Sequence, residues 1–96
     1  MELRELIERH RDEIQRIAAA HGACNIALFG SAARGEAGPD SDVDLLVDTL
    51  PNTSAWFPAG LVLDLEALLG RRVEVVTRAG LNPLLRDRVQ EEACPL

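Results

Sequence analysis

The sequence contains no lysine and no tyrosine, and its aromatic residues are Phe29, Trp56 and Phe57 alone. Without lysine there is no P-loop lysine for a phosphate and no lysine nucleophile. Without tyrosine the chain carries no tyrosine of its own to be modified. So few aromatic faces leave little for unpaired bases to stack on. The two cysteines, Cys24 and Cys94, lie too far apart in sequence for a metal-type spacing. They read as one small core residue and one tail thiol, with no disulfide expected in a reducing compartment. No apolar run approaches the length of a membrane span. Met1-Glu2-Leu3-Arg4 is charged and lacks a signal-peptide pattern. A cytoplasmic location with no membrane partner is the expectation.

What is present fits a small globular protein. At 96 residues and 47% apolar, the chain suffices for one domain with a modest core. The net charge is −6, and the ten basic residues are all arginine. An acidic chain grips a long polyanion poorly unless a basic patch or a metal helps, so nucleic acid is not expected as a direct substrate. A basic protein surface is the better complement.

Leu3, Leu6, Ile7, His10, Ile14, Ile17, Ala18 and His21 recur at helical spacing and predict an amphipathic helix from about Glu2 to Ala20, ended by Gly22. Cys24 to Phe29 and Asp42 to Asp48 read as strands. Pro51-Asn52-Thr53-Ser54 is a turn cluster. A second helix begins near Pro58, turns Leu61, Leu65, Leu68 and Leu69 inward, and stops at Gly70. Val73 to Thr77 is a third strand, and Asn82-Pro83 opens a helix to about Ala93. Strands alternating with helices predict an α/β domain.

The chemistry concentrates between the first two strands. Gly30-Ser31 follows the apolar run Ile26-Ala27-Leu28-Phe29 and opens a helical turn through Ala32, Ala33 and Arg34. Glycine lets a phosphate approach the backbone, and free N–H groups at such a turn attract anions. The loop Gly35-Glu36-Ala37-Gly38-Pro39-Asp40-Ser41 then leads to Asp42-Val43-Asp44. Strand positions two apart face the same way, so Asp42 and Asp44 bring their carboxylates together. Crowded carboxylates repel unless a cation or a proton intervenes, and hard oxygen ligands suit Mg2+ with substrate phosphates.

Each residue also has a plainer reading. An Asp-x-Asp pair alone is as well explained by solvated strand charges; the preceding Gly30-Ser31 favours the cation. Ser31 serves as an N-cap, a phosphate ligand or both. Arg34 either forks onto phosphate oxygens or pairs with Glu36. Glu74, between Val73 and Val75, faces the metal pair if its strand lies beside the second one, and otherwise faces water. His10 and His21 read as packed histidines, Arg71-Arg72 as charges at a helix end, and Trp56-Phe57 as a hydrophobic anchor.

Phe29 to Glu36 followed by Ser41 to Val47 resembles the signature of the polymerase-beta-type nucleotidyltransferases. The small size resembles the minimal nucleotidyltransferases, in particular the antitoxins paired with HEPN-domain toxins. The likeness extends to Leu68–Val76, where the family places a third acid; here it is Glu74 rather than Asp. The resemblance implies one minimal nucleotidyltransferase domain over 1–96, with a small mixed β-sheet flanked by helices. It also implies catalytic and metal-binding Asp42, Asp44 and Glu74, two Mg2+ ions, and a nucleoside triphosphate, ATP, on Gly30, Ser31 and Arg34. The implied acceptor is a tyrosine hydroxyl of a HEPN ribonuclease toxin. The alternatives are an antitoxin that acts by occupancy and nucleotidyl transfer to a small molecule; the short chain leaves the latter little room for an acceptor-binding domain.

Overall fold

Apolar residues at helical spacing near the N-terminus build two short helices rather than the single one expected. In the computed structural model, which describes residues 3–36, 38, 41–51, 53 and 57–96, α1 spans Leu3–Arg9 and α2 spans Arg11–Ala20. The backbone leaves helical angles at His10 (φ −105°, ψ 15°). Leu3, Ile7, Ile14 and Ala18 still bury on one side. A one-residue departure between two in-phase stretches leaves the apolar period intact, so periodicity does not reveal it.

The sheet has four strands in the order β3-β2-β1-β4: β1 Ala23–Phe29, β2 Val43–Thr49, β3 Val73–Thr77 and β4 Cys94–Pro95. The pairs β1/β2 and β1/β4 are antiparallel, while β2/β3 is parallel. The sheet is therefore mixed, as expected. A parallel neighbour needs a crossover, and α3, Ala59–Leu69, provides it. Its Leu61, Leu65 and Leu69 recur every four residues and are buried. Gly70 ends it in the left-handed region (φ 65°), its N–H donating to the Glu66 carbonyl at 2.8 Å. Glu66 Oε2 then accepts the Val73 N–H at 3.1 Å, and Val43 N–H donates to the Arg72 carbonyl at 2.8 Å. These bonds tie the end of α3 and the start of β2 to the entry of β3, and so support its register. α4, Pro83–Glu92, starts as expected, with Asn82 Oδ1 accepting the Leu84 N–H at 2.9 Å.

Alternation gives the sheet two different faces. Ile26 and Leu28 of β1, Val43, Leu45 and Val47 of β2, and Val73 of β3 join the buried residues of α1, α2 and α3 in one core. Asp44 and Glu74 occupy alternate positions on β2 and β3, with side chains away from that core. The short β4 was not foreseen. There Cys94 pairs with Leu28 and packs against the core, while Leu96 N–H reaches the Ile26 carbonyl at 3.0 Å. Both cysteines are free thiols of intermediate burial. No described helix is long and apolar enough to cross a membrane.

The plainer expectations find specific places. His21 Nε2 lies 2.7 Å from Asp64 Oδ2 and links the end of α2 to α3. His10 Nδ1 lies 3.4 Å from Glu13 Oε1. Arg71 Nη1 donates to the Ser41 carbonyl at 3.3 Å. Phe57 packs against the core. Its expected companion Trp56 lies outside the described residues, as do Asn52 and Ser54 of the turn cluster, Ala37, Pro39 and Asp40 of the loop, and Glu2.

Candidate active site

β1 ends at Phe29, and the chain turns sharply at Gly30 (φ 74°). Arg34 N–H donates to the Gly30 carbonyl at 3.2 Å and Glu36 N–H to that of Ser31 at 2.9 Å, closing one tight helical turn. Ala32 buries within the core and fixes the turn to the domain. Ser31 is half-buried at its start.

Gly30 is demanded here for two reasons. Its positive φ is one that side-chain-bearing residues adopt rarely. A Cβ at this point would also collide with Asp44 Oδ2, and would sit 3.3 Å from Asp44 Cγ. The collision follows from register, since Phe29 pairs with Asp44 across the antiparallel ladder. The turn therefore has no room for a side chain beside the Asp44 carboxylate.

On the other side of β2, Asp44 pairs with Glu74 across the parallel ladder. The Glu74 carboxyl acts on that of Asp44 across this pairing. Partial burial first, then the charge and hydrogen bond of Glu74 and the charge of Asp42, raise the Asp44 pKa from 3.8 to about 6; the positive charge of Arg34 acts in the opposite sense. Asp42 is exposed and precedes Val43, the first residue of β2. Its charge reaches Asp44, yet among the described residues no three carboxylate, imidazole or thiol groups converge closely enough to enclose an ion. The structure therefore joins Asp44 and Glu74 directly and leaves Asp42 at the flank. An oxygen-only pair crowded enough to retain a proton near pH 6, with a third acid in electrostatic reach, fits a hard divalent cation.

Of the two roles left open by its sequence position, Arg34 is seen in the pairing one. Its Nε donates to Glu36 Oε2 at 3.0 Å, the pairing expected from sequence, and its Nη1 donates to Glu92 Oε2 at 3.2 Å. Both carboxylates raise its pKa further. Glu92 was not singled out from the sequence: it lies 58 positions from Arg34, and no local pattern links the two.

Comparison with known proteins gives the same picture. The family described as "Nucleotidyltransferase domain" matches residues 6–94, a span that includes Gly30, Asp44 and Glu74. Protein adenylyltransferase MntA of Thermococcus cleftensis is 40% identical over 89 residues, covering 84% of this chain and 90% of that protein. A solved minimal nucleotidyltransferase is 45% identical with a TM-score of 0.87, over 97% of this chain and 95% of the other. A crystal structure of a toxin–antitoxin with AMP-PNP shares the fold, with a TM-score of 0.74 at 21% identity over 88% of this chain and 69% of that one. A family model matched over almost the whole chain, with relatives at 40% and 45% identity, places this chain in the nucleotidyltransferase family, as an enzyme of that kind.

Proposed function

We propose that this protein transfers AMP from ATP to a tyrosine hydroxyl of a HEPN-domain ribonuclease toxin, releases pyrophosphate, and so acts as the toxin's antitoxin. The observation that carries the reading is the Asp44–Glu74 pair set against Gly30. The name of the Thermococcus relative supports AMP as the group transferred and a protein as the acceptor. The HEPN partner and the tyrosine rest on the resemblance of the signature. Residues 1–96 act in this reading as one domain, in the cytoplasm.

Asp44 and Glu74 would hold magnesium, with Asp42 completing the set from the flank. When bound, Mg2+ (two ions in this reading) neutralises phosphate charge and acidifies the acceptor hydroxyl. The rest falls to the chain itself. Gly30 keeps a side chain out of the space beside Asp44, and the Gly30-Ser31 turn offers N–H groups to the outer phosphates. Arg34 supplies a forked cation to the same phosphates. Held in line, the acceptor oxygen forms its bond to the α-phosphorus as the bond to pyrophosphate breaks. The acceptor proton passes to Glu74 or to water.

The test is incubation with labelled ATP, Mg2+ and the toxin, sought in the neighbouring reading frame, followed by intact-mass measurement. The expected result is an AMP-sized mass gain on the toxin that tracks loss of its ribonuclease activity. Inhibition without any mass gain would favour a second reading, a binding antitoxin. What supports it is that among the described residues no three acids converge closely enough to enclose an ion.

A further inference from the structure

Outside the carboxylate pair, an ion pair joins the turn after Gly30-Ser31 to a distant part of the chain. Arg34 follows Gly30-Ser31 by one helical turn, and Glu92 is the last residue of α4. α4 buries none of its residues, and Leu84 and Leu85 are 88% and 52% exposed. The ion pair to Arg34 is therefore no by-product of a tightly packed helix. From the geometry we infer that Glu92 is a positioning residue for the nucleotide: with Glu36 it clamps the Arg34 guanidinium at the mouth of the phosphate turn. This inference rests on the nucleotide-transfer reading above.

The argument is one of donors. A guanidinium carries five N–H groups in a rigid plane. Glu36 engages Nε and Glu92 engages Nη1, at 3.0 and 3.2 Å. With Nε and Nη1 each anchored, the plane is fixed, and among the described residues Nη2 has no partner, so its N–H groups remain available. A lone arginine at such a turn would have to order its long side chain when phosphate arrives, at a cost in rotamer entropy. Two carboxylates restrict that freedom beforehand. Glu92 has one further basic neighbour, Arg88 Nε, at 4.0 Å on the same helix. Exposed ion pairs contribute little to fold stability, so the effect of Glu92 belongs in binding rather than in the melting temperature.

The experiment measures ATP affinity by calorimetry with Mg2+, together with the nucleotide and acceptor KM values. It compares wild type, Glu92→Gln, Glu92→Asp, Arg34→Gln and the double variant Arg34→Gln/Glu92→Gln. Glu92→Gln should weaken ATP binding about three- to tenfold, raise the nucleotide KM by a similar factor, and leave the acceptor KM and the melting temperature unchanged. Glu92→Asp should recover part of the loss. In the Arg34→Gln background, Glu92→Gln should have no further effect, because nothing remains to be clamped. Unchanged or tighter ATP binding in Glu92→Gln would overturn the inference. So would an equal loss in both backgrounds, which would mean that Glu92 acts without Arg34. Failure of the wild-type protein to bind ATP would instead overturn the nucleotide-transfer reading, and this inference with it.

Discussion

Replacing Asp44 by asparagine should make the metal-free protein more stable while destroying its activity. The folded chain raises the Asp44 pKa from 3.8 to about 6. A carboxyl with a raised folded-state pKa binds its proton more tightly folded than unfolded. Its ionisation therefore costs stability: nothing at pH below 3.8, progressively more up to pH 6, and a constant amount above that. Taken at face value, the shift corresponds to about 3 kcal/mol. The side chain is only half-buried, and solvent screening reduces the figure to about 1 kcal/mol. Asparagine keeps the shape, carries no charge, and can donate its amide N–H to Glu74. In EDTA at pH 7.5, Asp44→Asn should melt about 4–8 °C above wild type, the shift expected of ~1 kcal/mol in a domain of this size. At pH 3.5 the advantage should vanish, because wild-type Asp44 is then protonated. Mg2+ should stabilise wild type and have less effect on the variant. Calorimetric melts at the two pH values, with and without Mg2+, check all of this. An Asp44→Asn protein less stable than wild type at pH 7.5 in EDTA would refute the claim that the paired acids are held together under repulsion.

Glu74→Gln should cut AMP transfer by orders of magnitude and leave partner association nearly unchanged; inhibition that needs ATP in wild type and disappears in the variant is the signature of catalysis. Gly30→Val should abolish ATP binding in calorimetry and destabilise the fold by about 1–3 kcal/mol, since valine meets both a positive φ and the Asp44 carboxylate. Ser31→Ala should do less, with a loss of about 1 kcal/mol in nucleotide binding if a single hydrogen bond is removed. Asn82→Ala removes the acceptor for the Leu84 N–H and should lower stability by about 1 kcal/mol in chemical denaturation.

The sequence carried much of this arrangement because its signals were local. Three strands, the α3 stop at Gly70 and the α4 start at Asn82-Pro83 each follow from residues within a few positions. The meeting of Asp44 with Glu74 followed from alternation once β2 and β3 were neighbours. Asp42 lies one residue before β2 begins at Val43, and its charge still reaches Asp44. The break at His10 left the apolar period undisturbed. β4 is two residues long, too short to show any period, and it exists through pairing with β1 and core contacts of Cys94. The Arg34–Glu92 contact bridges distant segments and needs the fold to be seen.

The Gly70–Arg72 segment has a consequence for how this protein tolerates change in length. Whether Glu74 shares a face with Asp44 depends on a hydrogen-bonded seam in which Glu66 holds Val73 and Arg72 holds Val43. One residue added between Gly70 and Val73 would offset β3 by a single position and invert its faces. If the seam kept its place, Glu74 would be driven toward the apolar side and a valine would stand opposite Asp44. Two added residues would restore the alternation but displace the acid along its neighbour. Surface loops ordinarily absorb insertions with little effect. This short connector should be the opposite kind of segment, one in which chain length itself is under functional constraint while the identity of its exposed side chains is comparatively free.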